Sequence, residues 1–244
     1  MKSYVSIIIP TYNRAKFLMD ALESVRQQTL PPLEIIVVDD GSSDDTRKVL
    51  SESGFKVNYI YQKNRGPAAA RNAGIAVARG NVIAFLDDDD LLVPNALELC
   101  VGHLERKAAF GVDVVLGIVR SVENVKRAQV GFTYKKKLPV LSDRILFCGV
   151  FKRNVFEKVG LFDQTLILNE DTDWFLRARE KNICFSLIRG SVTHLHRMHK
   201  GNISRDKLGA KSFLLKAIKK SLARREKAGD GFASPLADLS DFLY

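Results

Sequence analysis

The sequence has little that would anchor it in a membrane or staple it in an oxidising compartment. It contains no apolar run near the roughly 20 residues that span a bilayer, and its first apolar run, Val5 to Ile9, ends at Pro10 without a signal-peptide layout. We therefore expect a cytoplasmic protein. Only three cysteines are present, far apart and without CxxC spacing, so neither a disulfide framework nor a zinc site is indicated.

Two other signatures are missing. No G-x-G-x-x-G follows any predicted strand, which sets aside a dinucleotide-dependent oxidoreductase. Internal repeats and low-complexity linkers are also absent. At 244 residues the chain is long enough to bury a full core, and one main domain is the default expectation.

The net charge of +10 is concentrated near the C-terminus. The basic residues of that part are Arg205, Lys207, Lys211, Lys216, Lys219, Lys220, Arg224, Arg225 and Lys227. Such a segment attracts nucleic acid, anionic lipid or phosphorylated ligands. A basic nucleic-acid-binding protein with a non-catalytic α/β domain is thus the alternative function. Because the segment lacks interleaved aromatics, we expect no nucleic-acid partner.

Short β-branched runs alternate with amphipathic stretches in the first hundred residues. The predicted strands are Val5–Ile9, Ile35–Val38, Val57–Tyr61 and Val82–Leu86. The predicted helices run from Phe17 to Val25, from a cap at Ser43 or Asp44 through Val49, and from Gly66 and Pro67 through Ala78. This βαβα order predicts a mostly parallel sheet covered by helices on both faces, with ligands bound at the carboxyl ends of its strands.

The second half is less regular. We predict helices at Pro94–Ala108, Arg153–Val159 and from about Asp171, strands at Val112–Val119 and Cys184–Ile188, and an edge strand at Val130–Tyr134. Residues 207–227 predict an amphipathic helix whose apolar face carries Leu208, Leu215, Ile218 and Leu222. We therefore divide the chain into an α/β domain, 1–204, with halves 1–108 and 109–204, and a basic C-terminal helix and tail, 205–244.

Four consecutive carboxylates, Asp87 to Asp90, follow the fourth predicted strand. Adjacent carboxylates repel one another unless a cation or hydrogen-bond donors compensate, and oxygen-only clusters suit Mg²⁺ or Mn²⁺. A solvated acidic turn is the competing interpretation, but the position at a strand end favours a metal site. Alternation out of the strand predicts that Asp87 and Asp89 share a side, with Asp89 as the direct ligand.

Polar residues also follow the first two predicted strands. Asp39 and Asp40 could accept hydrogen bonds from an imide nitrogen or a ribose hydroxyl, and Tyr12 could stack on a base or simply pack. Arg71, on the third helix, suits a phosphate or a base carbonyl, although a surface salt bridge explains it as well.

Several of these segments together resemble glycosyltransferase family 2. The resemblance is carried by Ser6-Ile7-Ile8-Ile9-Pro10-Thr11-Tyr12-Asn13-Arg14, Val37-Val38-Asp39-Asp40-Gly41-Ser42, Ala70-Arg71-Asn72-Ala73-Gly74 and Phe85-Leu86-Asp87-Asp88-Asp89-Asp90. It continues more thinly through Val159-Gly160-Leu161-Phe162-Asp163 and Glu170-Asp171-Thr172-Asp173-Trp174. The family has the GT-A fold, so the resemblance implies a sheet of that type.

The resemblance also implies a function and its residues. It implies an inverting, metal-dependent transfer from a nucleotide diphosphate sugar, UDP- or dTDP-linked, to an acceptor hydroxyl, in bacterial surface polysaccharide or glycoconjugate assembly. Asp171 would be the general base, with a helix N-cap as its competing role, and Asp89 would hold Mn²⁺ or Mg²⁺. The implied nucleotide-sugar residues are Pro10, Thr11, Tyr12, Asp40, Asn64, Arg71, Asp87 and Asp88.

Three histidines cluster in one segment, at 194, 196 and 199. Without further ligands these histidines do not predict a zinc site. We predict that His199 is a metal or phosphate ligand, because its segment resembles the family segment that closes over the diphosphate. His194 and His196 are interpreted as structural. The Gln-x-x-Arg-Trp motif of processive synthases is absent, which argues against polymer extrusion.

The expected partners are a nucleotide-sugar donor and a glycan or lipid-linked acceptor. The basic C-terminal helix leaves two interpretations open. It contacts an anionic membrane peripherally, at the inner face of the cell membrane, or it packs on the domain or on a partner subunit.

Overall fold

A computed structural model describes residues 3–123, 125–134, 136–141, 148–199, 201 and 207–227. Its strands are β1 Val5–Thr11, β2 Glu34–Asp39, β3 Asn58–Tyr61, β4 Val82–Phe85, β5 Leu91–Leu92, β6 Val114–Glu123, β7 Lys126–Arg127, β8 Phe132–Thr133, β9 Lys136–Leu141, β10 Gly149–Lys152 and β11 Phe185–Arg197. Its helices are α1 Ala15–Arg26, α2 Thr46–Glu52, α3 Pro67–Val77, α4 Ala96–Arg106, α5 Val155–Val159, α6 Glu170–Glu180 and α7 Lys207–Lys227, with a short 3₁₀ turn at Ala108–Phe110.

The main sheet of the described residues has nine strands in the order β3-β2-β1-β4-β10-β6-β11-β5, with β9 also paired to β6. Strands β1 to β4, β6 and β11 run in one direction, and β5, β9 and β10 run in the other. The carboxyl ends of β1, β2, β4 and β11 therefore meet at one edge. This confirms the predicted α/β architecture with a mostly parallel sheet.

Apolar side chains cover both faces of this sheet. One face packs α1 and α4 against residues such as Ile7, Ile9 and Val37. The other packs α3, α5 and α6 around a group of aromatic rings that includes the fully buried Trp174. Strands β1 and β4 are buried on both faces, and for this reason their sequences do not alternate between apolar and polar residues.

Three predicted elements differ in detail. The strand predicted at Cys184–Ile188 continues to Arg197, because β11 pairs with β6 along its length despite register shifts. The edge strand predicted at 130–134 instead forms a two-stranded ribbon, β7–β8, outside the main sheet. The cap of α2 is Asp45, while Asp44 accepts hydrogen bonds from the backbone and hydroxyl of Thr46.

Helix α7 forms as predicted, but it packs through a different side. Ala217 and Ser221 are buried against α6, whereas Leu215 of the predicted apolar face is 58% exposed. Arg224 explains this rotation, since its guanidinium pairs with Asp173 and Glu180 of α6. The side chain of Leu208 and the tail 228–244 lie outside the described residues.

Among the described residues, no helix combines the length and the apolar character that crossing a membrane requires.

Candidate active site

Side chains from four strand ends and two helices converge at the carboxyl edge of the sheet. The turn after β4 contributes Asp87 to Asp90, and the end of β11 contributes the segment from His196 to His199. Helix α3 contributes Arg71, and the first turn of α6 contributes Glu170 and Asp171. Residues that are far apart in sequence thus share one site.

Within the acidic turn, Asp88 and Asp90 are each held by two protein groups. Asp88 accepts a hydrogen bond from the Thr11 hydroxyl at 2.7 Å and one from Arg14 at 3.1 Å. Burial, followed by the charge of Asp89, raises the pKa of Asp88 to about 7. Asp90 lies 3.0 Å from Nδ1 of His196 and accepts from the backbone N–H of Arg197 at 3.1 Å.

The His196–Asp90 contact is an ion pair when His196 is protonated. Burial lowers the pKa of His196, but the hydrogen bond and charge of Asp90, together with Asp89 and Asp87, outweigh burial and raise it to about 9. His194 is the opposite case, since burial lowers its pKa to about 3 and it remains neutral. Its Nδ1 lies 2.9 Å from the Thr193 hydroxyl.

The turn has the donor set of a divalent-ion site. One oxygen each from Asp87, Asp89 and Asp90 lie within 4.8 Å of one another. Carboxylate oxygens at this spacing fit Mg²⁺ or Mn²⁺. His199 lies at the same place, with Nε2 3.2 Å from Oδ2 of Asp89 and its ring stacked on Phe17 at 4.5 Å. The structure therefore brings together the two predicted metal residues, Asp89 and His199.

Arg197 was not singled out by the sequence, yet it holds the backbone of this turn. It is 5% exposed and donates to the main-chain oxygens of Asp88 and Asp89. The same guanidinium pairs with Asp20 at 2.9 Å and lies over the ring of Phe17. A lone arginine at a strand end carries no spacing signal, so only the tertiary contacts reveal this clamp.

The predicted nucleotide residues line the β1–β2 part of the edge. Asp40 is buried and holds the loop before α3, because it accepts from Gln62 Nε2 and from the backbone N–H groups of Arg65 and Gly66 at 2.7 to 2.9 Å. Tyr12 is 48% exposed and its ring stands at the surface.

The remaining predicted residues of this part differ in burial. Thr11 is buried, Pro10 is half-buried and Asn64 is exposed. Gly41 lies against Asn64, with a φ of +86° and space so tight that an added Cβ would lie 2.8 Å from the Asn64 nitrogen. This close approach requires glycine at the turn.

Arg71 joins the acidic turn to α6. Its two Nη atoms lie 2.6 Å from Asp87 and 2.6 Å from Glu170. The surface salt bridge that the sequence left open is wrong, since Arg71 is only 4% exposed. Nearby, the Asn72 side chain donates to and accepts from the backbone of Phe162, which fixes the segment that leads to α6.

Asp171 is partly buried in the first turn of α6. The helix cap is Asn169, in a left-handed conformation with φ of 59°, so the N-cap role for Asp171 is wrong. Burial raises the pKa of Asp171 above its ordinary value, and burial together with the charge of Asp171 raises that of Glu170 to about 7 although Arg71 opposes it. A carboxylate with a raised pKa, beside a metal site, is suited to accept a proton.

Comparison with known proteins identifies the family of the chain. Residues 6–160, more than half of the chain, match the family described as Glycosyl transferase family 2. An uncharacterized glycosyltransferase of Rickettsia prowazekii is 31% identical over 233 residues, which cover 91% of this chain and 73% of that protein.

Two solved structures have the same fold. TarS of S. aureus, residues 1–349 in complex with UDP-GlcNAc, superimposes with a TM-score of 0.66 at 22% identity, over 83% of this chain and 61% of that one. The mannosyltransferase PcManGT of Pyrobaculum calidifontis, in complex with GDP-Man and Mn²⁺, gives 0.68 at 18% identity, over 91% and 65%. The chain thus spans less than two thirds of either solved structure. The likeness confirms the predicted GT-A architecture.

Proposed function

The chain belongs to glycosyltransferase family 2, and we propose that it transfers a sugar with inversion from a nucleotide diphosphate sugar to an acceptor hydroxyl. The observation that carries this proposal is the Arg71 bridge between Asp87 and Glu170. It joins the carboxylates of the metal site to the helix that bears Asp171. A donor held at the first and a base on the second would therefore face each other across the sugar.

We assign the donor to the edge formed by β1, β2 and α3. Tyr12, with Pro10 and Thr11 beside it, would hold the base, and Asp40 would fix the loop that carries Asn64. Arg71 and Asn64 would hold the nucleotide, while Asp87 or Asp88 would hold the ribose or sugar. Because both oxygens of Asp88 already accept protein hydrogen bonds, Asp87 is the better candidate of the two.

The donor we propose is UDP- or dTDP-linked. TarS was solved with UDP-GlcNAc and PcManGT with GDP-Man, so the fold accepts more than one base. The exposed ring of Tyr12, which follows β1 beside the acidic end of β2, is consistent with a stacked base. The hexose itself would be selected by contacts outside this edge.

Asp89 would hold the divalent ion, with His199 and Asp87 beside it. A bound Mn²⁺ or Mg²⁺ would stabilise the negative charge on the departing diphosphate as a Lewis acid. Arg197 keeps the backbone of the turn in place, so the carboxylates present their oxygens together.

Asp171 would remove the proton from the acceptor hydroxyl, and that oxygen would attack the anomeric carbon opposite the leaving diphosphate. Inversion needs one carboxylate base and no covalent intermediate, as in inverting glycosidases. Glu170 would keep Arg71 in place between the two halves of the site.

The acceptor we propose is a glycan or a lipid-linked glycan, in surface polysaccharide or glycoconjugate assembly. Helix α7 supports a position at the cytoplasmic face of an anionic membrane. Its outer side exposes Leu214 and Leu215 among the lysines at 211, 216 and 219. Basic residues interleaved with apolar ones are typical of helices that lie in the membrane interface.

The test separates the two carboxylate roles. Purified protein with Mn²⁺ is screened by thermal shift against UDP-, dTDP- and GDP-sugars, and the hit is assayed for transfer and for slow hydrolysis. Asp89→Asn should abolish the metal-dependent shift, because the ligand stabilises only the folded state that binds it. Asp171→Asn should keep that shift and lower turnover by about 10²-fold or more.

Asp113→Asn is the matched control, since Asp113 lies at the opposite edge beside Lys152 and should change neither readout. Loss of donor binding in Asp171→Asn would contradict the assignment of the base. No shift and no hydrolysis with any donor would contradict the function as a whole.

A further inference from the structure

Arg14 contacts the acidic turn but has no role in the proposed transfer reaction. It lies between β1 and α1, and its Nη1 is 2.5 Å from Oδ2 of Asp89 and 3.1 Å from Oδ1 of Asp88. Its Nη2 donates to the main-chain oxygen of Gly201 at 2.9 Å. One guanidinium thus ties the carboxylates after β4 to the segment that follows β11.

Arg14 contacts Oδ2 of Asp89, an oxygen of the proposed metal ligand. Oδ2 of Asp89 also lies 3.2 Å from Nε2 of His199, and Asp89 belongs to the oxygen cluster of the metal site. The side chain of Asp89 is only 9% exposed, so water gives little compensation for its charge. Arg14 supplies the missing positive charge.

We propose that Arg14 is an internal counter-cation of the metal site, which neutralises Asp88 and Asp89 in the metal-free chain and is displaced from Asp89 when a divalent ion binds. This rests on the proposed metal dependence. A guanidinium and a dication that both contacted Oδ2 of Asp89 would repel each other at short distance. Arg14 therefore competes with the ion.

Displacement has a second consequence at Gly201. When the guanidinium leaves Asp89, its hydrogen bond to the Gly201 oxygen is strained or lost, because both contacts come from the same rigid fork. Metal binding is thereby coupled to the contact between Arg14 and the main-chain oxygen of Gly201. His199 remains beside Asp89 through its stack on Phe17.

The experiment titrates Mn²⁺ alone into nucleotide-free protein at about 0.15 M ionic strength, where distant charges are screened, and follows free Mn²⁺ by electron paramagnetic resonance. Arg14→Gln removes the competing charge and should lower the Kd for Mn²⁺ by about tenfold. Arg14→Lys keeps a charge without the fork, and its Kd should lie between those of the wild type and Arg14→Gln. Arg79→Gln is the charge-matched control, since Arg79 is exposed at the opposite edge, and its Kd should equal that of the wild type.

A thermal readout distinguishes competition from a structural role. Arg14→Gln should lower the Tm of the metal-free chain, because Asp88 and Asp89 then repel each other, and Mn²⁺ should restore it. A residue that only supports the fold would lower the Tm equally with and without Mn²⁺. An unchanged or higher Kd in Arg14→Gln, with the wild type binding Mn²⁺, would overturn the counter-cation while leaving the metal site intact. No binding by either protein would overturn both.

Discussion

Arg71 lies in surroundings that the sequence did not predict. Its guanidinium is buried and lies between Asp87 and Glu170, with Asp171 also in its field. Removing its charge would leave the buried Glu170 without its counter-ion, which costs about 3–5 kcal/mol in comparable buried pairs. The residue therefore matters for the fold of the site as well as for any ligand.

The pH dependence of turnover should report the effect of Arg71 on the pKa of Asp171. A base must be unprotonated to act, so kcat/KM falls as pH drops through the pKa of Asp171, which burial raises above its ordinary value. The acidic limb should therefore lie above about pH 4. Because the charge of Arg71 lowers that pKa, Arg71→Gln should move the limb to higher pH, and Arg71→Lys should keep it near the wild-type position.

The measurement is kcat/KM of donor hydrolysis or transfer from pH 4 upward, with saturating Mn²⁺. A limb at the ordinary pKa of aspartate, or one that Arg71→Gln leaves in place, would contradict the assignment of Asp171 as the base.

At the scale of elements, the close packing of β10 against β6 helps to position the site. Gly149 begins β10, and a Cβ there would lie 2.0 Å from the main-chain oxygen of Val115. β10 is the antiparallel strand that joins β4 to β6, so it also joins the acidic turn to the β11 side of the sheet. Its close approach to β6 fixes the distance between those two parts.

Gly149→Ala should therefore lower the free energy of unfolding by about 2–4 kcal/mol, because backbone must move to admit the methyl group. The control is Gly102→Ala in α4, where the nearest neighbour is the flexible end of Arg106 and alanine favours the helix. Denaturant unfolding of both variants checks the prediction. Equal stability of Gly149→Ala and the wild type would show that the two strands separate more easily than the packing indicates.

Across the whole molecule, charge and apolar exposure coincide on α7. Lys220 and Arg224 are used in ion pairs with Asp163, Asp173 and Glu180, whereas the exposed lysines at 211, 216 and 219 have no ion pair within the described part of the chain. With Leu215 beside them, they form the surface that we propose for the membrane.

Vesicle co-sedimentation tests that surface. The chain should bind vesicles that contain phosphatidylglycerol and not vesicles of phosphatidylcholine alone. Since each basic residue contributes about 1 kcal/mol near an anionic surface, replacing Lys211, Lys216 and Lys219 by Gln should weaken binding by about 10²-fold. The matched control replaces the exposed Lys48, Lys56 and Lys63, far from α7, and should bind like the wild type. Equal binding by both triple variants would exclude α7 as the membrane contact.

The sequence by itself determined the sheet edge and which polar segments lie at that edge. The short apolar runs and the polar residues that end them predicted β1, β2 and β4, because strands buried in a parallel sheet are continuously apolar. Their carboxyl ends were expected to meet at one edge, as they do. Strand alternation predicted that Asp87 and Asp89 share a side, but the oxygen cluster also includes Asp90, because these residues form a turn after β4 rather than a continued strand. Strand formation depends on residues that are neighbours in the sequence, so the sequence alone predicts it.

Only the tertiary structure decided which long-range partners hold the site. The contacts of Arg14 with Asp89, of Arg197 with the turn, and of Arg71 with Glu170 join residues separated by 75, 108 and 99 positions. No sequence periodicity connects residues so far apart. Arginine is also long enough to reach several alternative carboxylates, so its partner cannot be predicted from the sequence. The packing side of α7 was decided in the same way, because Arg224 and Ser221 contact residues of α6 that are more than 40 positions away in the sequence.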